Sequence, residues 1–246
     1  MKHCFMVSSA INTTIGEFSN EERLEQTLNT VSSIQKYAPG SDIILVECSS
    51  FTLSLEQRKI LTDNCNLLIT YDHDPHVKEM YEQNIKLGNW DIVKTYTEIY
   101  CFIGAFNRCL ETNYFENVDR VHKLSGRYYL TDKFDPDSYK EEPFCDSIII
   151  SKRYKSQFKP ELVDNIPYCY MTRLWSWPAV ITRQIHQTYK NSLLFLRRDG
   201  SKGETKLDIE HLLYRFLPSD LVIPVLELGV SGIISTVPNK IGKISD

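Results

Sequence analysis

The 246-residue sequence contains little glycine and little proline, 10 residues of each. This shortage excludes collagen-like, low-complexity and linker-rich proteins. No stretch reaches the ~18 consecutive apolar residues that a membrane-spanning helix needs, and the apolar run within residues 1–7 is too short for a signal peptide. We therefore expect an intracellular, cytoplasmic protein without a transmembrane segment.

Paired cysteines and excess positive charge are also absent. The seven cysteines are odd in number and never have Cys-x-x-Cys spacing, which excludes a zinc ribbon and a disulfide framework and favours buried free thiols. Lysine and arginine total 28 against 32 acidic residues, so the net charge is −4 and no nucleic-acid partner is expected. The length favours one large domain or a domain with an annex, and because the sequence contains no internal repeat and no linker we expect a single domain over residues 1–246.

Several common catalytic signatures are missing. The first apolar segment is not followed by the glycine pattern of a dinucleotide-binding turn, and no phosphate-binding P-loop, zinc-peptidase helix or hydrolase nucleophile elbow occurs. A classical dinucleotide site is therefore not expected.

Alternating strands and helices are what the first third of the sequence does contain. Residues 5–7, 43–47 and 67–71 are short apolar runs without alternation, which is typical of parallel strands covered on both faces. Ser19 and Glu22 have the spacing of a capping box at the start of a helix that ends near residue 39, and a second helix is predicted over 54–64. The pattern predicts an α/β fold with a mostly parallel central sheet flanked by helices.

Further elements are predicted along the rest of the chain. They are a helix over 91–111, strands over 119–124, 146–151 and 221–228, a helix beginning at Pro178 and a helix over 208–216. The aromatic-rich residues 169–177 show no clear period. Because ligands of such sheets bind beyond the carboxyl ends of the strands, the loops 8–12, 47–50 and 72–74 are candidate binding segments.

Three early segments, 8–13, 22–34 and 43–47, resemble the opening of a GT-A-type nucleotide-sugar glycosyltransferase. The block Lys-Leu-Ser-Gly-Arg-Tyr at 123–128 stands where such enzymes carry an Asp-x-Asp motif, and it resembles a block in uncharacterised bacterial and viral glycosyltransferase-like proteins. The resemblance implies a sugar transfer from a nucleotide-sugar donor to a glycan, lipid-linked or protein acceptor, as in glycan biosynthesis.

The same resemblance implies a division of labour and a set of donor-binding residues. Residues 1–120 would form the nucleotide-binding half and residues 121–246 the acceptor half. The residues implied to bind the donor are Ser8, Ser9, Asn12, Glu47, Lys86, Gly88, Lys123, Ser125 and Gly126. Alternatives remain open, because Glu47 is equally read as a solvated strand-end acid, and Lys86 with Gly88 as a plain loop.

The block departs from the family at its metal-binding motif. Ser125-Gly126-Arg127 offers no carboxylate for a divalent cation, so the resemblance implies that no metal is required and that Arg127 meets the charge of the leaving diphosphate. The alternative is a tight turn with a surface arginine. If Mn²⁺ or Mg²⁺ does bind, Asp72 and Asp74 are the fallback ligands, although they also read as a solvated acidic turn.

An inverting transfer needs a carboxylate base for the acceptor hydroxyl, and Asp208 or Glu210 stands where such enzymes often place it. Both acids also read as ordinary residues at a helix N-terminus. Trp175 and Trp177 are suited either to stacking on a sugar or to packing in the core.

Two other functions remain as alternatives. One is a catalytically lapsed GT-A-like protein that binds a nucleotide or glycan. The other is an unrelated Rossmann-like interaction module.

Overall fold

The structure is a computed structural model, and it describes residues 1–14, 16–87, 90–199, 205–237 and 240–245. Within these ranges the helices are α1 (Asn20–Tyr37), α2 (Leu55–Asp63), α3 (Pro75–Leu87), α4 (Trp90–Glu111), α5 (Thr182–Asp199) and α6 (Ile209–Phe216). The strands are β1 (His3–Ser9), β2 (Asp42–Glu47), β3 (Leu67–Thr70), β4 (Arg120–Ser125), β5 (Tyr128–Leu130), β6 (Ile148–Ser151), β7 (Arg153–Lys155), β8 (Tyr168–Tyr170), β9 (Leu174–Pro178), β10 (Val222–Val225), β11 (Val230–Val237) and β12 (Lys240–Ser245). None of the described helices is both long and apolar enough to cross a bilayer.

The central sheet has seven strands in the order β10-β6-β9-β4-β1-β2-β3. Strands β1 to β4 pair in parallel, as do β6 and β10, whereas β9 runs antiparallel to both of its neighbours. The predicted α/β class with a mostly parallel sheet and flanking helices is confirmed. The strands predicted at 5–7, 43–47 and 67–71 lie side by side in this sheet.

Local sequence signals explain where the first helices start. In α1 the Ser19 hydroxyl accepts a hydrogen bond from the Glu22 amide at 3.2 Å, and the Glu22 carboxylate accepts one from the Ser19 amide at 2.7 Å. The predicted capping box is therefore present, and Ser54 and Gln57 form a second one at the start of α2.

Two apolar layers cover the sheet, because successive strand residues point to opposite faces. Met6 and Ile44 belong to the layer that includes buried residues of α4 and α5. Phe5 and Ile43 belong to the other layer, which includes buried residues of α1 and α2. Both faces of β1 and β2 are thus buried, which accounts for their unbroken apolar sequences.

The region after residue 168 differs from the sequence-based expectation. The aromatic segment forms β8 and the antiparallel insertion β9, and the side chains of Trp175 and Trp177 are both fully buried in the α4–α5 layer. The suggestion that these indoles stack on a sugar is therefore wrong, because no ring face is exposed. The strand predicted at 221–228 is not the last, because β11 and β12 follow it and form a smaller antiparallel sheet with β5.

Candidate active site

Three segments meet at the carboxyl edge of the sheet. Ser8 at the end of β1 lies beside Ser125 at the end of β4 in the parallel register, and the Gly126 amide donates a hydrogen bond to the Ser8 carbonyl at 2.7 Å. A Cβ atom on Gly126 would lie 2.7 Å from that carbonyl oxygen, so a side chain would push the two segments apart. Residues 8–12 and 123–128 are thus adjacent, and Arg127 follows with an exposed side chain.

Lys123 lies on the face of β4 that packs against α4. Its side chain is only 2% exposed, and its ammonium group forms an ion pair with Glu98 at 2.5 Å. Glu98 retains 23% exposure, so the pair reaches toward solvent through its acidic member. The Lys123 charge is therefore directed at Glu98, and Arg127 is the exposed cation of the block.

Glu47 holds the loop that follows β1. Its carboxylate is fully buried and accepts hydrogen bonds from the Ser9 hydroxyl at 2.6 Å, the Ile11 amide at 3.0 Å and the Ser49 amide at 3.2 Å. Burial raises the pKa of Glu47, while the three donors favour its charged form. The buried hydrogen bonds of Glu47 with Ser9 and Ile11 therefore fix the conformation of the loop.

Asn12 connects the same loop to α2. Its side-chain amide donates to the Thr52 carbonyl at 2.8 Å and exchanges hydrogen bonds with the Gln57 side chain at 2.9 and 3.0 Å. The side chain of Lys86 and the whole of Gly88 lie outside the described residues, so the structure places neither relative to this edge.

The two fallback metal ligands are engaged elsewhere. The carboxylate of Asp72 accepts from the Leu53 amide at 3.2 Å and pairs with Arg58 at 2.8 Å. Burial alone would raise the pKa of Asp72. The Leu53 amide and the Arg58 guanidinium nevertheless hold this pKa below its usual range. Asp74 accepts from the amides of His76 and Val77 at the start of α3, and thus acts as its N-cap.

A divalent metal does not fit the donor set at the carboxyl edge. The described residues contain no group of three or more His, Cys, Asp and Glu side chains that could hold a metal ion. At the end of β4 the side chains are a hydroxyl and a guanidinium, and a guanidinium repels a cation. No step of the chemistry proposed below passes through a metal.

Glu210, in the first turn of α6, is the acid with the most perturbed environment among the described residues of 121–246. Its carboxylate accepts a hydrogen bond from the Thr172 hydroxyl at 2.9 Å. Burial, and after it the negative charges of Asp208 and Glu98, raise the pKa of Glu210 to about 7. Such a group changes protonation state near neutral pH, as a general base must.

Asp208 has a different task, because it caps α6 and orients a histidine. Its carboxylate accepts from the His211 amide at 3.0 Å and contacts the His211 ring nitrogen Nδ1 at 2.5 Å. The other ring nitrogen, Nε2, lies 2.9 Å from the Ser156 hydroxyl.

The order Asp208–His211–Ser156 is also that of a hydrolase triad. However, the Ser156 amide is bonded to the Pro167 carbonyl, and the Phe158 amide donates to the Ser156 hydroxyl itself. These two amides are not available as an oxyanion hole. We therefore interpret the hydrogen bonds among Asp208, His211 and Ser156 as a structural link that fixes the segment after β7 to α6.

One short stretch joins the two sides of the site. The Ser125 amide donates to the Arg173 carbonyl at 3.0 Å, and the preceding residue, Thr172, holds Glu210. The end of β4 and the start of α6 are therefore connected through two consecutive residues, which brings Glu210 to the same edge as the 123–128 block.

Sequence reasoning missed Glu98, Ser156 and His211 as parts of this region, and it also missed Arg23, whose guanidinium donates to the Ala10 carbonyl in the loop after β1. A signal for Glu98 did exist, because a lysine within a buried strand requires an acidic partner, and Glu98 is one of the few charged residues in the apolar sequence of α4. No comparable signal exists for the contact of His211 with Ser156, which lie 55 residues apart.

Comparisons with known proteins agree with this architecture. No protein-family model matches the chain, and no characterised protein matches it by sequence. Among solved structures, the chain is similar to core-mannan synthase A from Aspergillus fumigatus, crystallised in a Mn/GDP form, with a TM-score of 0.51 and 10% identity. The match covers 90% of this chain and 72% of that one. At this identity the likeness concerns the fold, which resembles a GT-A glycosyltransferase domain.

Proposed function

We propose that the protein is a glycosyltransferase that moves a sugar from a nucleotide-sugar donor to a hydroxyl group of a glycan, lipid-linked or protein acceptor. The observation that carries the proposal is the meeting of a cationic turn and a perturbed acid at the carboxyl edge of a GT-A-like sheet. The turn is residues 125–127 and the acid is Glu210, and they are connected through Thr172 and Arg173. In open α/β sheets this edge is where ligands bind.

The donor half supplies shape and positive charge. Ser8, Ser125 and Gly126 form the floor beneath the donor, while Ser9, Asn12 and Glu47 hold the adjoining loop in place. Arg127 meets the negative charge that develops on the diphosphate as the glycosidic bond breaks, in the role that a divalent cation has in metal-dependent enzymes.

The acceptor half supplies the base. The Glu210 carboxylate takes the proton of the acceptor hydroxyl, the hydroxyl oxygen forms its bond to the anomeric carbon, and the bond to the diphosphate breaks with its electron pair leaving on the diphosphate. Attack from the side opposite the leaving group inverts the anomeric configuration. Asp208 is the less suitable base, because its Oδ1 atom already contacts both the amide and the ring nitrogen Nδ1 of His211.

A catalytically lapsed protein that binds nucleotide or glycan without turnover is the second candidate. The observation that favours it is the absence of any carboxylate in Ser125-Gly126-Arg127. The transferase and a lapsed protein that binds nucleotide both predict that a nucleoside diphosphate binds at the same edge, so only turnover separates these two.

The test is a panel of nucleotide sugars, incubated with the purified protein and with simple sugar acceptors, in which released nucleoside diphosphate is measured. We expect release with one donor class and its loss in the Glu210→Gln variant. Binding without release, detected as a thermal shift with nucleoside diphosphates, would favour the lapsed protein. If the protein shows no binding of nucleoside diphosphate and no release, both of these candidates are contradicted.

A further inference from the structure

Arg23, in the first turn of α1, does not extend into solvent as a helix-surface arginine normally does. Its Nε atom donates to the Phe18 carbonyl at 3.1 Å, and its Nη1 atom donates to the Ala10 carbonyl at 3.3 Å. A Cβ atom at Gly16, where φ is +94°, would lie 2.8 Å from its Nη2 atom. The loop after β1 is thus folded around this half-buried guanidinium group.

The same face of α1 supports the 123–128 block. One turn after Arg23, the Thr27 hydroxyl lies 3.3 Å from the position that a Cβ atom on Gly126 would occupy. Thr27 itself donates to the Arg23 carbonyl at 2.9 Å. Because Arg127 directly follows Gly126, its backbone begins beside Thr27, one turn of α1 after Arg23.

The electrostatics of Arg23 agree with this placement. Burial, and after it the positive charge of Arg127, lower the pKa of Arg23. Two guanidinium groups that influence each other in this way repel, and a bound dianion would convert that repulsion into attraction. Guanidinium groups also match phosphate oxygens in a bidentate geometry, which makes phosphate the natural anion for such a pair.

We propose that Arg23 and Arg127 together form a two-guanidinium site for the diphosphate group of the donor, with Arg23 fixed by the loop after β1 and Arg127 carried by the turn after β4. This inference rests on the proposed function, and it deepens it by naming the second cation. Arg23 then has two tasks: it shapes the loop through the Ala10 and Phe18 carbonyls, and it supplies charge to the diphosphate.

The experiment is calorimetric titration of the full chain with inorganic pyrophosphate, with orthophosphate as the control ligand. Arg23→Ala and Arg127→Ala are each expected to weaken pyrophosphate binding by about tenfold to 100-fold, the range for hydrogen bonds to charged groups. Arg153→Ala is the matched control, because Arg153 is exposed on β7 in a different sheet, and it should bind as the wild type does.

Arg23→Lys separates the charge of Arg23 from its role in the loop. The lysine keeps a cation but loses the guanidinium fork that holds the two carbonyls, so we expect binding between that of the wild type and that of Arg23→Ala. Equal weakness in Arg23→Lys and Arg23→Ala would overturn the charge role, and wild-type affinity in Arg23→Ala would overturn the participation of Arg23 in the site.

Failure of this inference is distinguishable from failure of the proposed function. If the wild type releases nucleoside diphosphate from a nucleotide sugar while Arg23→Ala binds pyrophosphate normally, only the role of Arg23 is refuted. If pyrophosphate binding depends on both arginines but no nucleotide sugar turns over, the anion site stands and the transferase does not.

Discussion

Two regions at the carboxyl edge each contain an acid withdrawn from water, Glu47 fully buried and Glu210 partly buried, and the surroundings of the two acids differ. In the loop between β1 and β2, Glu47 accepts three hydrogen bonds from donors of its own chain. In the first turn of α6, Glu210 accepts a hydrogen bond from the Thr172 hydroxyl and lies near the like charges of Asp208 and Glu98. Burial raises the pKa in both places.

The difference shows what each region is suited to do. A carboxylate that accepts hydrogen bonds from several neighbouring groups of the protein fixes the backbone around it. The free energy of these hydrogen bonds contributes to the stability of the fold. An acid crowded by negative charge and left with few donors is ready to accept a proton from a ligand. We therefore expect the Glu47 region to act as a positioning element and the Glu210 region as a reactive one.

The strongest test of the different roles expected for Glu47 and Glu210 is to make the same substitution at both residues. Glu210→Gln keeps an oxygen that accepts from Thr172 but removes the base, and it should lower turnover by about 1000-fold, within the range for general-base catalysis. Glu47→Gln should leave turnover within a few fold of the wild type. The measurement is release of nucleoside diphosphate by each purified variant, with circular dichroism to check folding.

The pH dependence sharpens the same point. Because the pKa of Glu210 is raised to about 7, its base form is present above that pH, and wild-type turnover should fall as the pH drops through this value. The residual rate of Glu210→Gln should lack this limb. If the variant kept the wild-type profile, another group would have to be the base.

Substitution of Arg127 is expected to have the next largest effect. Arg127→Ala should lower turnover by about 100-fold, the usual cost of one well-placed donor to transition-state charge. Arg127→Lys should recover only part of the rate, because it keeps the charge and loses the bidentate fork. Since the side chain is exposed, the melting temperature should change little. An Arg127→Ala enzyme with wild-type turnover would remove the turn after β4 from the active site.

Much of the fold could be predicted from the sequence because its signals are local. The apolar runs of β1, β2 and β3 and the Ser19 capping box each act within a few residues. Helix α3 was not predicted, although the sequence contains a signal for it. Asp74-Pro75 is an N-cap followed by a proline at the first helical position, and this pattern indicates the start of a helix. The antiparallel insertion of β9 depends on pairing with β4 and β6, which no local pattern encodes.

The candidate site divides in the same manner. The segments 8–12 and 123–128 could be assigned to one edge because parallel strands place their carboxyl ends together. The ion pair of Lys123 with Glu98 and the relay from Asp208 through His211 are contacts that only tertiary packing creates. The family resemblance therefore offered Asp208 and Glu210 equally as the base, and the structure distinguishes them by their partners.

A smaller effect is expected on stability, and it tests the Glu47 region directly. Glu47→Ala leaves three buried donors without their acceptor and should lower the free energy of unfolding by about 3 kcal/mol. In Glu47→Gln the side-chain oxygen still accepts from the two amides, and the Ser9 hydroxyl can rotate to accept from the new amide group, so the loss should be about 1 kcal/mol or less. Urea unfolding of both variants gives the two values. Equal losses would mean that Glu47 contributes through its charge and not through its acceptors.

The smallest expected effect is that of removing divalent cations. Four acids among the described residues have partners other than a metal: Asp72 pairs with Arg58, Asp74 caps α3, Glu98 pairs with Lys123, and Asp208 holds His211. If guanidinium groups meet the leaving diphosphate as proposed, no step of the transfer needs a Lewis acid, and a chelator should change turnover by less than about twofold. The measurement is nucleoside diphosphate release after dialysis against the chelator, with Mn²⁺ or Mg²⁺ added back in a parallel sample. A loss of turnover that the added cation restores, together with an Arg127→Ala variant of normal rate, would mean that a metal neutralises the diphosphate and that the cationic turn after β4 does not.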